Sequence, residues 1–268
     1  MTLRPLLLAC LPLAALPARA AEFDCVVEPA QVLEIGSSTT GLLAEVLVGR
    51  GAHVARGQVL ARLDSRVQAA TLALTREQAA ARQARDVAET RLHLAEAQVT
   101  RSRRLAQSGA GSGSQLEQDE AAFAIARHQL DAEDYALRLA AMEVERQQAL
   151  LDQLTVTSPI DGIVTDIHLH AGEFVRQDSP ILRLAQIQPL HVESWLPVGL
   201  WGGLAAETPA IVRLTQPDAR EVPARIAVID KVLDAASGTF GLRLELPNPD
   251  DTIPAGQRCT LRLEMAAE

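Results

Sequence analysis

Lysine is all but missing from this chain. Among 268 residues Lys231 is the single lysine, and arginine supplies the rest of the positive charge. Any prosthetic group that needs a lysine amine therefore has one position to use. Aromatic residues make up only 3 % of the sequence, and 34 acidic side chains outnumber 25 basic ones. A nucleic-acid protein shows a basic face and stacking aromatics, so this balance argues against that class. There is no Gly-x-Ser-x-Gly elbow, no His-Glu-x-x-His and no phosphate-binding glycine loop. No catalytic constellation emerges, and the expectation is a protein that is not an enzyme. Beyond the first residues, no apolar stretch reaches membrane-spanning length.

What is present begins with MTLRPLLLACLPLAALPARA. A basic Arg4, an apolar run from Leu6 to Leu16 and the ending Ala18-Arg19-Ala20 match a secretory signal over residues 1–20, cleaved before Ala21. Leu7-Leu8-Ala9-Cys10 offers a lipoprotein alternative. Cleavage leaves Cys25 and Cys259. In an oxidising compartment they can pair, or they can sit as two buried small hydrophobes.

Two stretches are one motif written twice. Gly41–Leu63 is GLLAEVLVGRGAHVARGQVLARL and Gly162–Leu184 is GIVTDIHLHAGEFVRQDSPILRL, 121 positions apart. At that offset Gly41 faces Gly162, Val46 faces Ile167, Gly51 faces Gly172, Val54 faces Val175 and Leu63 faces Leu184. A register held without a gap marks a duplicated structural unit. Each copy alternates short apolar strands with turns, for which Gly41, Gly51, Gly57, Gly162 and Gly172 are the candidates. Neither copy can bury a core alone, so the two are expected to close on each other as one sandwich.

Between them, residues 66–154 read as a helical hairpin. From Val67 to Gln107 there is no proline or glycine, and strong helix formers dominate. A second such run spans Gln115–Leu154, and SGAGSGS at 108–114 breaks the two at a tip. Ser114 followed by Glu117 has the spacing of a capping box. The first helix offers a seam of alanine with Leu72, Val87, Leu94 and Leu105. The second repeats Leu116, Phe123, Leu130, Leu137, Val144 and Leu151 every seventh residue, the mark of a supercoiled seam. Residues 188–268 alternate short apolar runs with Pro, Gly and Asp turns, as in a β-barrel, and 21–40 form a lead-in strand to it.

This order of elements resembles the periplasmic adaptor proteins, or membrane fusion proteins of the HlyD type, of Gram-negative efflux and secretion systems. Gly51-Ala52-His53-Val54-Ala55-Arg56-Gly57-Gln58-Val59-Leu60 with Leu63-Asp64 is similar to the family's G-x-x-V-x-x-G-x-x-L-x-x-L-D. Val156–Val164 is similar to I-x-A/S-P-x-D-G-x-V, and Ile253-Pro254-Ala255-Gly256-Gln257 to its L-x-P-G-M/Q turn. The resemblance implies an α+β multi-domain fold. A split biotinyl/lipoyl-like β-sandwich (half-motifs 41–65 and 155–187) carries an inserted antiparallel α-helical coiled-coil hairpin, followed by a β-barrel domain. It implies residence in the periplasm, peripheral to the inner membrane. It also implies three kinds of partner: an inner-membrane transporter of RND or ABC type, an outer-membrane channel protein, and sibling subunits in a ring (a hexamer or trimer of dimers). The family's tip pattern Arg-x3-Leu-x6-Ser falls on Arg101, Leu105 and Ser112, with Glu117 where an acidic residue is often found. Family members often continue past the barrel, and the end at Glu268 leads to the expectation that the further β domain is absent or reduced.

Two rival functions are weighed against this one. The half-motifs also resemble biotinyl and lipoyl carriers, but Lys231 falls in the barrel segment rather than between the halves, so no cofactor is expected. His168 and His170 share one face of a strand and His191 follows, which would suit a periplasmic metal-binding chaperone. No cluster of soft ligands accompanies them, and no metal is expected.

Overall fold

The structure is a computed structural model and describes residues 21–216 and 219–263; the signal segment 1–20, with Cys10, lies outside them. In chain order, β1 (Ala21–Ile35), β2 (Gly41–Val46), β3 (His53–Val54) and β4 (Val59–Leu63) precede α1 (Arg66–Ala80), α2 (Gln83–Gln107) and α3 (Gly113–Asp152). Then come β5 (Thr155–Thr157), β6 (Gly162–Ile167), β7 (Phe174–Val175) and β8 (Leu182–Pro197). A 3-10 turn, Val198–Gly203, leads to β9 (Pro209–Leu214), β10 (Arg220–Ile229), β11 (Thr239–Leu246) and β12 (Arg258–Leu263). The fold is mixed α+β, as expected. The chain forms two compact units. One comprises the described residues of Met1–Leu33, Ile160–Thr165 and Arg183–Glu268, and the other Glu34–Pro159 and Asp166–Leu182.

The first unit is a barrel. Its strands run in the order β1-β12-β9-β10-β11-β8, and β1 also pairs with β8, which closes the ring. Closure removes the unpaired edges that would otherwise template aggregation. Alternation decides which side faces in: Phe240, Leu242, Leu244 and Leu246 of β11 are buried while Arg243 and Glu245 are exposed. Leu190, Val192 and Leu196 of β8 stand opposite Leu246, Leu244 and Phe240 in the same core. Two polar groups enter that core with their bonds made. Ser194 Oγ donates to the Asp24 carbonyl at 2.8 Å, and buried Asn248 holds the backbone of Ile187 and Ile253 at the turn before β12. Cys25 and Cys259 are register partners on β1 and β12, and they form a disulfide.

In the second unit the duplication is visible in backbone bonds. Leu47 N–H donates to the Leu60 carbonyl at 2.8 Å, and His168 N–H to that of Ile181 at the same distance. Ala52→Gly49 matches Glu173→His170, both at 3.1 Å, and Gln58→Ala55 matches Ser179→Arg176. Gly51 and Gly172 share the left-handed backbone, with φ of 83° and 94°. The halves interlock as expected: β2 pairs with β4 of its own copy and with β7 of the other, in a sheet ordered β5-β4-β2-β7. Leu43, Leu60, Val175 and Ile181 are buried in this unit. Gly41 and Gly162 are not turn residues but open strands β2 and β6. A Cβ on Gly162 would lie 2.4 Å from the Ala185 carbonyl oxygen, so close approach of backbone excludes a side chain there.

The hairpin departs from expectation in its first limb, which is two helices. Ala81 is extended (φ −72°, ψ 102°) and separates α1 from α2 without a glycine or proline. The seam explains the break. Half-buried or buried positions in α1 are 68, 72, 75 and 79, whose rhythm leads to 82. In α2 they resume at 85 and continue through 88, 92, 95, 99, 102 and 106. From 79 to the next position of the same core row at 85 is six residues where an unbroken heptad needs seven, and the helix breaks where the seam loses that residue. The alanine-rich seam is correct, but Val87, Leu94 and Leu105 lie outside it, 50, 68 and 51 % exposed. Leu72 is buried in it as expected, and Ala88 and Val99 take the places of the other three. The 40-residue α3 runs unbroken for about 60 Å. Leu116 and its heptad partners to Leu151 are half-buried, with Asp119, Ala126 and Leu154 buried on the alternate seam rows. Near its base Arg146, helped by Gln147, holds the Glu143 carboxyl down to about 2.

Two outcomes follow for stability. Replacing Cys25 and Cys259 by serine is expected to lower unfolding free energy by about 2–5 kcal/mol. Urea denaturation with and without reductant checks it, and equal midpoints for the oxidised and reduced wild type would refute it. Gly162→Ala is expected to cost about 1–3 kcal/mol by overpacking. Gly49→Ala, whose Cβ meets nothing within 4 Å, serves as the silent control in the same melts.

Candidate partner-docking tip

The tip is set by how α2 ends and α3 begins. Ala110 N–H donates to the Leu105 carbonyl at 3.0 Å and Gly109 N–H to that of Ala106 at 3.2 Å, the paired bonds of a Schellman stop. Gly109 takes the left-handed backbone this requires, with φ of 74°. Gly111 then packs against the end of α2: a Cβ there would lie 2.9 Å from Ala106 N. Glycine at 111 therefore tightens the turn against α2. The expected capping box is absent. Ser112 is the N-cap residue and makes no side-chain cap bond; its hydroxyl meets that of Ser114 at 2.8 Å, and Glu117 is exposed.

Of the residues singled out from the sequence, Arg101 and Leu105 lie on the last turns of α2, Ser112 at the tip, and Glu117 on the first turns of α3. All four are exposed. The Arg101 guanidinium is steadied by Gln98 one turn back. An exposed guanidinium on the end of α2 and a hydroxyl at the turn can hydrogen-bond to another protein without a large apolar patch.

One residue behind the tip was missed. Asp119 is buried on α3, where it accepts a hydrogen bond from the Ser102 hydroxyl of α2 and another from Gln115 Nε2 at 3.1 Å. Arg103 and Glu120, one residue on in each helix, bridge the limbs at 2.9 Å. A polar residue in an otherwise apolar seam fixes register, and this pair fixes it about two turns from the tip. Asp119 stands three residues after Leu116, on the alternate row of the same heptad, a signal the sequence already carried.

The rival site does not assemble. His168 Nε2 lies 3.1 Å from Glu34 and His170 Nδ1 3.8 Å from Glu173. His191 is on β8, opposite Glu245. Among the described residues, no group of three His, Cys, Asp or Glu is placed to hold a metal. Lys231 lies in the exposed turn between β10 and β11 of the barrel. Beside it, Val232 and Leu233 are exposed, and Trp201 donates its indole N–H to the Asp230 carbonyl at 2.8 Å.

A family model described as CzcB-like, barrel-sandwich hybrid domain matches residues 31–186. The cation efflux system protein CusB of Escherichia coli (strain K12) is 29 % identical over 139 residues, 49 % of this chain and 34 % of CusB. The macrolide export protein MacA of Yersinia pestis is 26 % identical over 246 residues, 88 % of this chain and 63 % of MacA. The chain thus spans about a third of the first relative and under two thirds of the second. The crystal structure of MacA from Actinobacillus actinomycetemcomitans matches with a TM-score of 0.77 at 20 % identity, over 93 % of this chain and 79 % of that one. That likeness speaks to the fold.

Asp119→Ala strips Ser102 of its buried partner and is expected to cost about 1–3 kcal/mol. The double change Ser102→Ala with Asp119→Leu, which removes both polar groups, should recover most of it. Chemical denaturation with amide exchange at 98–120 tests this. Equal stability for wild type and the single variant would show that the pair does not hold the tip.

Proposed function

Because the chain belongs to the family built on the CzcB-like barrel-sandwich hybrid domain, we propose that it is a periplasmic adaptor subunit of a tripartite efflux or secretion system. One observation carries the proposal. A hairpin of about 60 Å is inserted between interlocked half-motifs and ends in a tightly turned polar tip. Its Arg101, Leu105 and Ser112 stand at the family's spacing, with Glu117 following.

In this reading the tip meets an outer-membrane channel, and Arg101 and Ser112 supply hydrogen bonds to it. The barrel seats on an inner-membrane transporter of RND or ABC type. Its exposed turn at Val232 and Leu233, braced by Trp201, is the apolar surface offered for that contact. Several copies assemble, so contacts that are weak singly hold jointly. The work is positional, with no catalytic step. The segment 1–20 exports the chain, and the Cys25–Cys259 disulfide suits an oxidising compartment. No described helix is long and apolar enough to cross a membrane, which accords with a peripheral place at the inner membrane. The two relatives' names speak of cation efflux and of macrolide export. What they have in common is removal of a substrate, and the proposal concerns that coupling role.

The test is photo-cross-linking in living cells. Gly113 has open space around a Cβ and Val232 is 85 % exposed, so both accept a photo-reactive side chain. Capture of a channel protein from position 113 and a transporter from position 232 is the expected result. Failure to capture a channel from the tip would overturn the docking assignment. Leu105→Asp and Ser112→Asp should each abolish export while circular dichroism stays unchanged. Full export by either would remove that residue from the interface.

A further inference from the structure

The outer face of the barrel carries an exposed indole that the adaptor role leaves unused. Trp195 of β8 is 59 % exposed, in a chain with only two tryptophans. It lines a groove of about 280 Å³ together with Asp24 and Val26 of β1 and Arg258 of β12. Alternation along the strands explains why these four meet. Ser194, Cys25 and Cys259 are buried in the core, so their neighbours at 195, 24, 26 and 258 point out. Val26 is the register partner of Arg258, which puts Asp24 and Arg258 at diagonal positions. The disulfide joins Cys25 to Cys259 between them and locks that diagonal covalently.

Charge on this face is arranged around the indole. Asp24 and Arg258 are exposed, and among the described residues no ion pair joins either to a partner. On β11 the register partner of Trp195 is Gly241, and the Asp230 carboxylate occupies the place of the side chain that Gly241 lacks. A second carboxylate therefore stands beside Trp195, on the flank away from Asp24. Arg243, on that same flank, is bonded to Glu193 at 2.5 Å. An indole between two carboxylates suits an ammonium, which the ring attracts within ~6 Å of its centre. A guanidinium beyond one of those carboxylates suits a phosphate.

We infer that the groove binds a phospho-ammonium zwitterion of the phosphocholine or phosphoethanolamine type. The ammonium sits against Trp195 between Asp24 and Asp230, and the phosphate sits at Arg258. Size and charge decide against other ligands. A volume of about 280 Å³ lies under the ~300–1,000 Å³ of sites for drug-sized molecules, so the groove takes a headgroup-sized ligand. A purely anionic ligand would meet Asp24, Asp230 and a chain of net charge −9. A purely cationic one would be repelled by Arg258. Each of the lining groups stands on a strand of a closed, disulfide-linked barrel, so little ordering is lost on binding. The inference goes beyond the adaptor role and does not rest on it.

Tryptophan fluorescence of the purified exported chain tests the site, with Trp201→Phe leaving Trp195 as the single reporter. Phosphocholine is expected to shift the emission saturably, and choline to bind about tenfold more weakly. Asp24→Asn should weaken phosphocholine by about tenfold, and Arg258→Gln should bring it down to the level of choline. Both positions are exposed, so circular dichroism should be retained. Arg262→Gln, on the same strand but outside the groove, should leave binding unchanged. Flotation with phosphatidylcholine vesicles against phosphatidylglycerol vesicles separates the two sources of the headgroup. Flotation with phosphatidylcholine alone, lost in Asp24→Asn, assigns a lipid; a fluorescence shift without flotation assigns the free solute. The inference is overturned if neither phosphocholine nor the vesicles bind. Equal affinity for choline and phosphocholine overturns it too, as does binding that survives both groove variants.

Discussion

The hairpin can exist only because its two ends are pinned together by strands that lie far apart in sequence. β2 pairs with β4 on one side and with β7 on the other, so Gly41 and Leu42 are held by Val175 and Phe174 from beyond the whole insertion. Closing so long a loop costs entropy, but that cost grows only logarithmically with length. A long insertion is therefore tolerable once the sheet that closes it has a core, and Leu43, Leu60, Val175 and Ile181 provide one. Duplication makes the closure specific. Each half supplies the same turn bonds at the same places, so the register is set twice.

Beyond that base the two limbs have little core to share. Alanine at the seam lets the helices approach closely but buries little area, and the few larger groups, Leu72, Val99 and Leu154, carry much of the packing. The polar pair Ser102–Asp119 sits where the apolar seam thins toward the tip. A bond that must find its partner specifies register more sharply than sliding alanines can. The tight turn through Gly109 and Gly111 then presents its side chains from a defined backbone, and the hairpin can reach without becoming loose.

Much of this was legible beforehand. The 121-residue offset, the breaker cluster at 108–114, the heptad of α3 and the period-two texture of the barrel are all local patterns, and local patterns follow from chain geometry. The first limb was not legible in the same way. With alanine at several seam positions, the larger Val87 and Leu94 carry the apolar signal of this limb, yet both are exposed. The break at Ala81 has no glycine or proline to announce it, and it falls where the seam slips by one residue between 79 and 85. The capping box failed because Ser112, two residues earlier, took the cap position in a turn whose path Gly109 and Gly111 dictate.

By itself, then, the sequence determined the kinds of element, their order, and the kinship of the two half-motifs, since each depends on residues a few positions apart. Tertiary structure decided what depends on distant groups. Cys25 bonds to Cys259 because β1 and β12 are neighbours in a closed barrel, 234 positions notwithstanding. His168 turns to Glu34 because the backbone of Ile181 bonds to both Ile35 and His168 and so brings the two segments together. The outward rows of the hairpin were fixed only when α3 selected which face of α1 and α2 to bury. A helix has no inside until something packs against it.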